Sequence, residues 1–262
     1  MSFSPITGQA DTTIHTSAQG LKQGHVDMPT FDGTIKAYFA APADQLRPPV
    51  VLVVQEIFGL HEHIQDVCRR FAHAGYFAVA VELYQRQGDA SSYTDMPQLI
   101  KDLVSKVPDE QVLADLDASV QWAATQGADT ARVGVTGFCW GGRLSWMYAA
   151  HSANCKAAVA WYGKLTTGHG PLQLRNPVDI AGSVHGPVLG LYGALDASIP
   201  VDDVRKVEAV LAQGDAAAKA SKMVVYPDAG HAFYADYRPS YRPDDAQDAW
   251  GKALDWFKTY LR

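Results

Sequence analysis

The chain has 262 residues, of which 47% are hydrophobic and 19% are charged. This composition excludes a disordered, collagen-like or coiled-coil protein, and the length suits one large α/β domain. The formal net charge of −6, without a long run of lysine or arginine, argues against nucleic-acid and anionic membrane partners. No apolar stretch approaches the roughly 20 residues that a membrane helix needs. The first residues lack the pattern of a secretory signal, so we expect a cytoplasmic protein.

Three cysteines, Cys68, Cys139 and Cys155, fit a reducing compartment. An odd number in a chain of this length does not indicate a disulfide framework, and the absence of a Cys-x-x-Cys pair argues against a zinc ribbon or a redox pair. Cys68 lies on the apolar face of a predicted helix and Cys155 lies near the start of a predicted strand. We therefore expect both to be inert core residues.

Strands and helices alternate along most of the chain. The polar residues 1–20 predict a loose or extended arm, and residues 21–262 predict a single domain. The predicted strands are a hairpin of His25–Met28 and Thr34–Phe39 around Asp32-Gly33, then Val50–Val54, Tyr76–Leu83, Arg132–Thr136, Ala157–Tyr162, Val188–Tyr192 and Met223–Tyr226. The predicted helices are His63–Ala74, Leu99–Val104, Asp109–Ala124, Gly142–Ala150, Val201–Leu211 and Asp244–Leu261. This alternation predicts an α/β fold with a mostly parallel, doubly wound sheet and helices on both faces.

The strongest functional signal is the segment Gly137-Phe138-Cys139-Trp140-Gly141-Gly142, which follows a predicted strand and opens a predicted helix. It has the pattern Gly-x-nucleophile-x-Gly of a nucleophile elbow, with cysteine in place of serine. Glycines flank the nucleophile because side chains there would collide in so tight a turn. The start of the helix also favours a thiolate and a developing oxyanion. Taken alone, the motif fits a glycine-rich turn around a structural cysteine equally well.

An acid and a histidine follow in the order that this elbow requires. Asp196 comes just after the predicted strand Val188–Tyr192, and His231 comes just after the last predicted strand. Ligands of such sheets bind at the carboxyl ends of the strands. Alone, Asp196 would be a helix cap and His231 a loop histidine. Together with Cys139 they predict a nucleophile, an orienting acid and a general base.

Five motifs make the chain resemble the dienelactone hydrolase family, or carboxymethylenebutenolidases, of the α/β-hydrolase fold. They are Gln55-Glu56-Ile57-Phe58-Gly59, Glu82-Leu83-Tyr84-Gln85-Arg86, the Cys139 segment, Tyr192-Gly193-Ala194-Leu195-Asp196 and Gly230-His231-Ala232-Phe233. The resemblance runs from about His25 to Leu261. It implies an α/β-hydrolase fold, a Cys139–His231–Asp196 triad and an oxyanion hole formed by the backbone N–H groups of Ile57 and Trp140.

The resemblance also implies that Glu56 interacts with the cysteine and helps to form the thiolate. A partly desolvated carboxylate after a buried strand is expected to have a raised pKa, which suits this role. Arg86 matches an arginine that binds a substrate carboxylate in the family, although a surface arginine is an equal alternative. A second family arginine corresponds to Ala235 here, and Arg238 and Arg242 are the nearest candidates to replace it. This departure puts a small anionic dienelactone in doubt as the physiological substrate.

Further candidates for the substrate pocket are the aromatic residues Tyr84, Phe58 and Phe233, although aromatic side chains near strand ends are more often core. His61 and His63 could suggest a metal site. We expect none, because two histidines two residues apart on a helix point to different faces.

We therefore expect a hydrolase that opens an ester or a lactone, with or without a carboxylate on the substrate, through a thioester acyl-enzyme. We expect no cofactor and a monomer or small homo-oligomer. A non-catalytic binding or sensor protein on the same fold is the alternative, which the complete triad disfavours. A thiol redox protein would need a nearby resolving cysteine, which the sequence does not offer.

Overall fold

The structure, a computed structural model, describes residues 11–262. Its strands are β1 Leu21–Thr30, β2 Gly33–Pro42, β3 Pro49–Val54, β4 Phe77–Val81, β5 Asp129–Phe138, β6 Cys155–Trp161, β7 Val188–Gly193 and β8 Lys222–Tyr226. They form one sheet in the order β1-β2-β4-β3-β5-β6-β7-β8. The β1–β2 hairpin is antiparallel and joins β4 antiparallel, whereas all neighbours from β4 to β8 pair in parallel. This is the predicted α/β-hydrolase arrangement.

The helices are α1 Glu62–His73, α2 Met96–Asp102, α3 Asp109–Thr125, α4 Trp140–His151, α5 Pro177–Ile180, α6 Val201–Gln213, α7 Ala216–Ala220 and α8 Pro243–Tyr260. Parallel strands joined by right-handed crossovers place α1 on one face of the sheet and α3 and α4 on the other. Helix α8 packs against α1, because the ring of Phe71 on α1 lies 4.6 Å from the ring of Trp250 on α8, centroid to centroid. The predicted doubly wound layering is confirmed.

The central strands are buried because they are apolar on both faces. All six residues of β3 are buried, as the run Val50–Val54 predicted for a strand covered by helices on both sides. Cys68 and Cys155 are fully buried, and burial raises the pKa of the Cys155 thiol to about 12. Both therefore behave as the expected inert core residues.

The predicted arm, residues 1–20, lies partly outside the described residues. Residues 11–18 have no regular secondary structure but contact helix α1. The Thr16 backbone N–H donates to Asp66 at 2.6 Å, and the Thr16 carbonyl accepts from Arg69 at 3.0 Å. In the described part of the chain, no helix is both long and apolar enough to cross a bilayer.

Candidate active site

Cys139 lies in the tight turn between β5 and α4, with a left-handed φ of 56°. A Cβ atom on Gly137 would lie 2.2 Å from the carbonyl oxygen of Gly141, and one on Gly141 would lie 2.4 Å from that of Val54. Real Cβ atoms do not approach backbone this closely, so both positions require glycine. The Cys139 N–H donates to the carbonyl of Trp161 at 3.0 Å, which ties the turn to the end of β6. The nucleophile candidate is therefore held in a strained, fixed backbone conformation.

Asp196 and His231 form a hydrogen-bonded pair at the carboxyl ends of β7 and β8. The His231 Nδ1 atom lies 2.7 Å from Asp196 Oδ2. Asp196 Oδ1 accepts from the backbone N–H and the hydroxyl of Ser198, at 2.8 and 2.7 Å. Burial alone would raise the pKa of Asp196, but His231 and Ser198 together lower it. Asp196 is therefore an anion that fixes the orientation of the imidazole.

His231 also interacts with Cys139. Burial alone would lower the pKa of His231, but the charge of Cys139 and the hydrogen bonds with Asp196 and Cys139 raise it to about 10. The structure thus brings Cys139, His231 and Asp196 together at one edge of the sheet. The protonated form of the imidazole is therefore stabilised by both Cys139 and Asp196.

Glu56 follows β3 and is 1% exposed. Its Oε2 atom accepts from the Tyr237 hydroxyl at 2.6 Å and lies 3.3 Å from His61 Nε2. Burial would raise the pKa of Glu56, but His61, His63 and Tyr237 outweigh it and lower the pKa to about 2. The expectation of a raised pKa is therefore wrong, because hydrogen bonds and positive charge outweigh desolvation. The Oε1 atom is buried and has no hydrogen-bond partner within residues 11–262.

His61 and His63 lie side by side rather than on different faces. Their ring centroids are 6.1 Å apart and their planes differ by 20°. The expectation of divergent side chains is wrong because His61 is the N-cap of α1 and lies outside the helix. His63 Nδ1 lies 3.1 Å from Asp236 Oδ1. Residues 11–262 contain no group of three or more histidine, cysteine or acidic side chains arranged to hold a metal ion.

The backbone N–H of Ile57 lies in the loop after β3, and that of Trp140 directly follows Cys139. Trp140 is the first residue of α4, so its N–H has no partner within the helix. Within the described residues, neither N–H group donates a hydrogen bond to the protein. Free N–H groups after β3 and at the helix start are suited to binding a developing oxyanion.

Two motif side chains fix the loop that carries Ile57. The Gln55 Oε1 atom accepts from the backbone N–H of Leu83 at 3.1 Å, and Glu82 Oε2 accepts from that of Leu60 at 2.8 Å. These bonds join the loops after β3 and β4. Gln55 and Glu82 therefore hold the two loops of the site together.

The predicted aromatic residues have different surroundings. Tyr84 is fully buried and stacks on Trp140, with ring centroids 5.1 Å apart. Phe58 is half-buried and lines a cavity of about 590 Å³ together with Tyr237. Phe233 is fully buried, with its ring 5.0 Å from that of Tyr226. Tyr84 and Phe233 are thus core residues, and the assignment of both to substrate binding is corrected for that reason.

Arg86 does not present a free guanidinium to a substrate. Its nitrogens bond Asp115 at 2.7 and 2.9 Å and Asp32 at 2.6 Å. Asp115 is fully buried on α3, and Asp32 lies in the β1–β2 turn. The two carboxylates occupy the fork of donors that a substrate carboxylate would need. The structure therefore contradicts the predicted role of Arg86 and assigns it to joining the hairpin to α3.

Arg238 and Arg242 differ in whether the guanidinium is already paired with a carboxylate. Arg242 Nε bonds Asp245 at 3.2 Å at the start of α8. The Arg238 guanidinium lies over the ring of Phe58, 5.6 Å from its centroid, and forms no ion pair with the described residues. Arg238 is therefore the arginine available to an anionic ligand.

Sequence reasoning missed Tyr237 and Tyr162, and it considered His61 only as a metal ligand. Tyr237 and His61 bind Glu56, while the Tyr162 ring meets that of His231 edge-on at 5.3 Å. Tyr162 follows β6 directly, and this position at the catalytic edge is a signal that could have identified it. Tyr237 lies between β8 and α8 and has no such signal.

Comparison with known proteins identifies the family to which the chain is similar. Residues 35–261 match the model of the dienelactone hydrolase family. A Methylorubrum extorquens protein named "Putative carboxymethylenebutenolidase" is 55% identical over 262 residues, which cover 99% of this chain and 88% of that protein. An Escherichia coli K12 protein of the same name is 50% identical over 98% of this chain and 95% of that protein. A crystal structure titled as a putative dienelactone hydrolase from Klebsiella pneumoniae is 52% identical, with a TM-score of 0.88, over 92% of this chain and 99% of that one.

Proposed function

Because the chain belongs to the dienelactone hydrolase family, and is thus an ester or lactone hydrolase, we propose that Cys139, His231 and Asp196 form its catalytic triad. The observation that carries the proposal is the His231–Asp196 pair, 2.7 Å apart, beside a cysteine on a strained turn. Asp196 holds the tautomer in which the other ring nitrogen of His231 serves the thiol.

The reaction follows from these positions. Cys139 transfers its proton to His231, and the thiolate attacks the carbonyl carbon of the ester. The carbonyl electron pair moves to oxygen, and the N–H groups of Ile57 and Trp140 bind the resulting oxyanion. The oxyanion collapses and breaks the C–O bond, and the leaving oxygen takes the proton from His231. Water then attacks the thioester, giving a proton to His231, and releases the acid and the Cys139 thiolate.

Glu56 has a different role from that of a proton acceptor. A carboxylate with a pKa of about 2 is a weak base for a thiol, so in this proposal the Cys139 proton goes to His231. Glu56 remains an anion that Tyr237 and His61 hold in place.

Arg238 supports a substrate that carries a carboxylate. Its guanidinium is unpaired among the described residues and faces the aromatic ring of Phe58, which lines the cavity beside the site. Arg238 would take the position that Arg86 and Ala235 do not fill. A planar guanidinium binds a carboxylate through two parallel hydrogen bonds.

Trapping the acyl-enzyme tests the proposal. Acid-quenched reactions with 4-nitrophenyl acetate should add one acetyl group to the peptide that contains Cys139, as read by mass spectrometry. Cys139→Ala should lose at least about 1,000-fold in kcat with an unchanged circular dichroism spectrum. Acetylation of another residue, or turnover that survives in Cys139→Ala, would contradict the triad. Tight ester binding without any turnover in the unmodified protein would favour the sensor alternative.

A further inference from the structure

Residues 11–18, the described part of the N-terminal arm, close one side of the cavity beside the site. The cavity, of about 590 Å³, has Phe58 and Tyr237 among its walls on one side and Thr13, Ile14 and His15 of the arm on the other. The arm lies before residues 35–261, which match the family model. The wall that it supplies is therefore outside the part of the chain that defines the family.

Hydrogen bonds fix the arm at both ends of this wall. The Thr12 hydroxyl donates to the carbonyl of Asp236, in the loop between β8 and α8. The Thr16 backbone N–H and hydroxyl donate to the carboxylate of Asp66 on α1, at 2.6 and 3.0 Å. The three residues between these two threonines are therefore held against the cavity.

The cavity adjoins the proposed reaction centre. Phe58, one of its walls, follows Ile57, whose backbone N–H is a proposed oxyanion donor. His61 and Tyr237 are further walls, and they bond Glu56 at 3.3 and 2.6 Å. An ester held by the oxyanion donors would therefore have this cavity beside it.

The lining favours an uncharged group. Two carboxylates of α1 line the cavity, but both are already paired with arginines: Asp66 accepts from Arg69 at 3.0 Å and from Arg70 at 2.6 Å, and Glu62 pairs with Arg69. Other walls are aliphatic or aromatic side chains, namely Ile14, Phe58, Tyr93 and Tyr237. The volume lies within the range of about 300–1,000 Å³ that is usual for small-molecule pockets. The cavity therefore suits a hydrocarbon group of a substrate.

Ile14 separates this cavity from a second one. The second cavity, of about 390 Å³, lies between the arm and α8 and has Tyr241 and Trp250 among its walls. Ile14 is the residue that the linings of the two cavities share, and it is 42% exposed. Its side chain therefore marks the far end of the cavity beside the site.

We propose that Ile14 is a specificity-determining residue, which limits the length of a hydrocarbon group that the ester places in the cavity. The group belongs either to the acyl part or to the alcohol part of the ester, because both extend from the same carbonyl carbon. This inference rests on the proposed function, and the experiment below separates the two.

The test compares Ile14→Trp and Ile14→Ala with the unmodified protein on 4-nitrophenyl esters from acetate to dodecanoate. Each buried CH₂ group contributes up to about fourfold to binding, so kcat/KM of the unmodified protein should rise along the series until the cavity is filled. The larger ring of Ile14→Trp displaces two or more such groups, which should lower kcat/KM for the octanoate about tenfold or more and leave the acetate within about twofold. Ile14→Ala joins the two cavities, so the preferred ester should become longer.

A second series identifies the part of the ester that enters the cavity. Acetate esters of butanol to dodecanol, followed by titration of the released acid, vary the alcohol part alone. A response of the nitrophenyl series to Ile14 places the acyl part in the cavity, and a response of the acetate series places the alcohol part there. Calorimetric titration with 1-octanol measures binding without turnover, and Ile14→Trp should weaken this binding about tenfold or more.

The matched control is Leu46→Trp. Leu46 is 91% exposed and lines neither cavity, so this variant adds the same ring without changing the pocket. Its chain-length preference should equal that of the unmodified protein. Because Ile14 is partly exposed, Tm of both Ile14 variants should change little. Opposite shifts in chain-length preference between Ile14→Trp and Ile14→Ala are a result that a purely structural role would not produce.

Other results would overturn the inference. Equal losses on short and long esters would show that the arm only stabilises the fold. Hydrolysis of the esters with an unchanged chain-length preference in both Ile14 variants would refute the inference and leave the proposed function intact. Weaker binding of 1-octanol by Ile14→Trp in a protein that hydrolyses none of the esters would refute the proposed function and support the hydrocarbon site.

Discussion

The close approach of α4 to the end of β3 makes Gly141→Ala a sensitive test of the site. The new Cβ would lie 2.4 Å from the carbonyl oxygen of Val54 and 2.5 Å from that of Gln55. Overpacking costs about 1–3 kcal/mol, and because both neighbours are backbone atoms that cannot rotate away, we expect the upper end. At about 2–4 °C per kcal/mol, Tm should fall by roughly 6–12 °C. Moving Trp140 about 1 Å away from Ile57 would separate the two oxyanion donors and lower kcat about 100-fold.

Thermal unfolding by circular dichroism and 4-nitrophenyl acetate hydrolysis measure the two effects. The matched control is Gly251→Ala on α8, where a Cβ meets no atom within 4 Å. Alanine is favoured over glycine in a helix by about 1 kcal/mol, so this control should raise Tm and leave kcat unchanged. A Gly141→Ala protein with unaltered Tm and kcat would refute the claim that the turn needs glycine there.

Three further predictions concern charged groups. Tyr237→Phe removes the hydroxyl that bonds Glu56, so in urea unfolding it should lower the free energy of unfolding by about 2 kcal/mol above pH 5. Because the pKa of Glu56 is lowered from 4.5 to about 2, the stabilisation by its carboxylate is lost as pH falls, and the difference between the two proteins should be smaller near pH 3. A difference that stays constant with pH would contradict this. Cys139→Ala should lower the pKa of His231 from about 10, as followed by NMR of the imidazole, and an unchanged value would show that the thiol does not contribute. Arg86→Leu should cost about 3 kcal/mol, because it leaves a buried carboxylate unpaired; intact stability with a raised KM for an ester that carries a carboxylate would restore a substrate role.

The fold could be predicted because its signals are local and periodic. The run Val50–Val54 is too short and too apolar for anything but a strand covered on both faces, and it became the central strand β3. The strand ends differ by a few residues from the prediction, as in Arg132–Thr136 against Asp129–Phe138. Helices α5 and α7 were not predicted, since four and five residues are too few to show a helical period.

A site residue could be predicted only where its position directly after a strand places it at the carboxyl edge of the sheet. Cys139, Asp196 and His231 each follow a strand, so parallel pairing brings them to the same edge. Arg86 follows a strand as well, but its partner Asp32 lies 54 positions away across the hairpin, and no local pattern shows that pairing. The pKa of Glu56 likewise depends on Tyr237, which is 181 positions distant. Long-range polar contacts of this kind arise from the folded loops and not from any periodicity.

The distribution of left-handed residues has a consequence for engineering heat resistance. Residues 11–262 include four non-glycine residues with a left-handed φ. Cys139, Tyr162 and Ala232 belong to the catalytic edge, whereas Arg47 lies in the surface loop that leads into β3. Directed evolution for thermal tolerance alone would favour substitutions that relieve the backbone strain at any of these four residues. Only at Arg47 should such a substitution raise thermal stability without lowering turnover. Mutant libraries that leave the other three residues unchanged would therefore raise thermal stability without loss of catalysis.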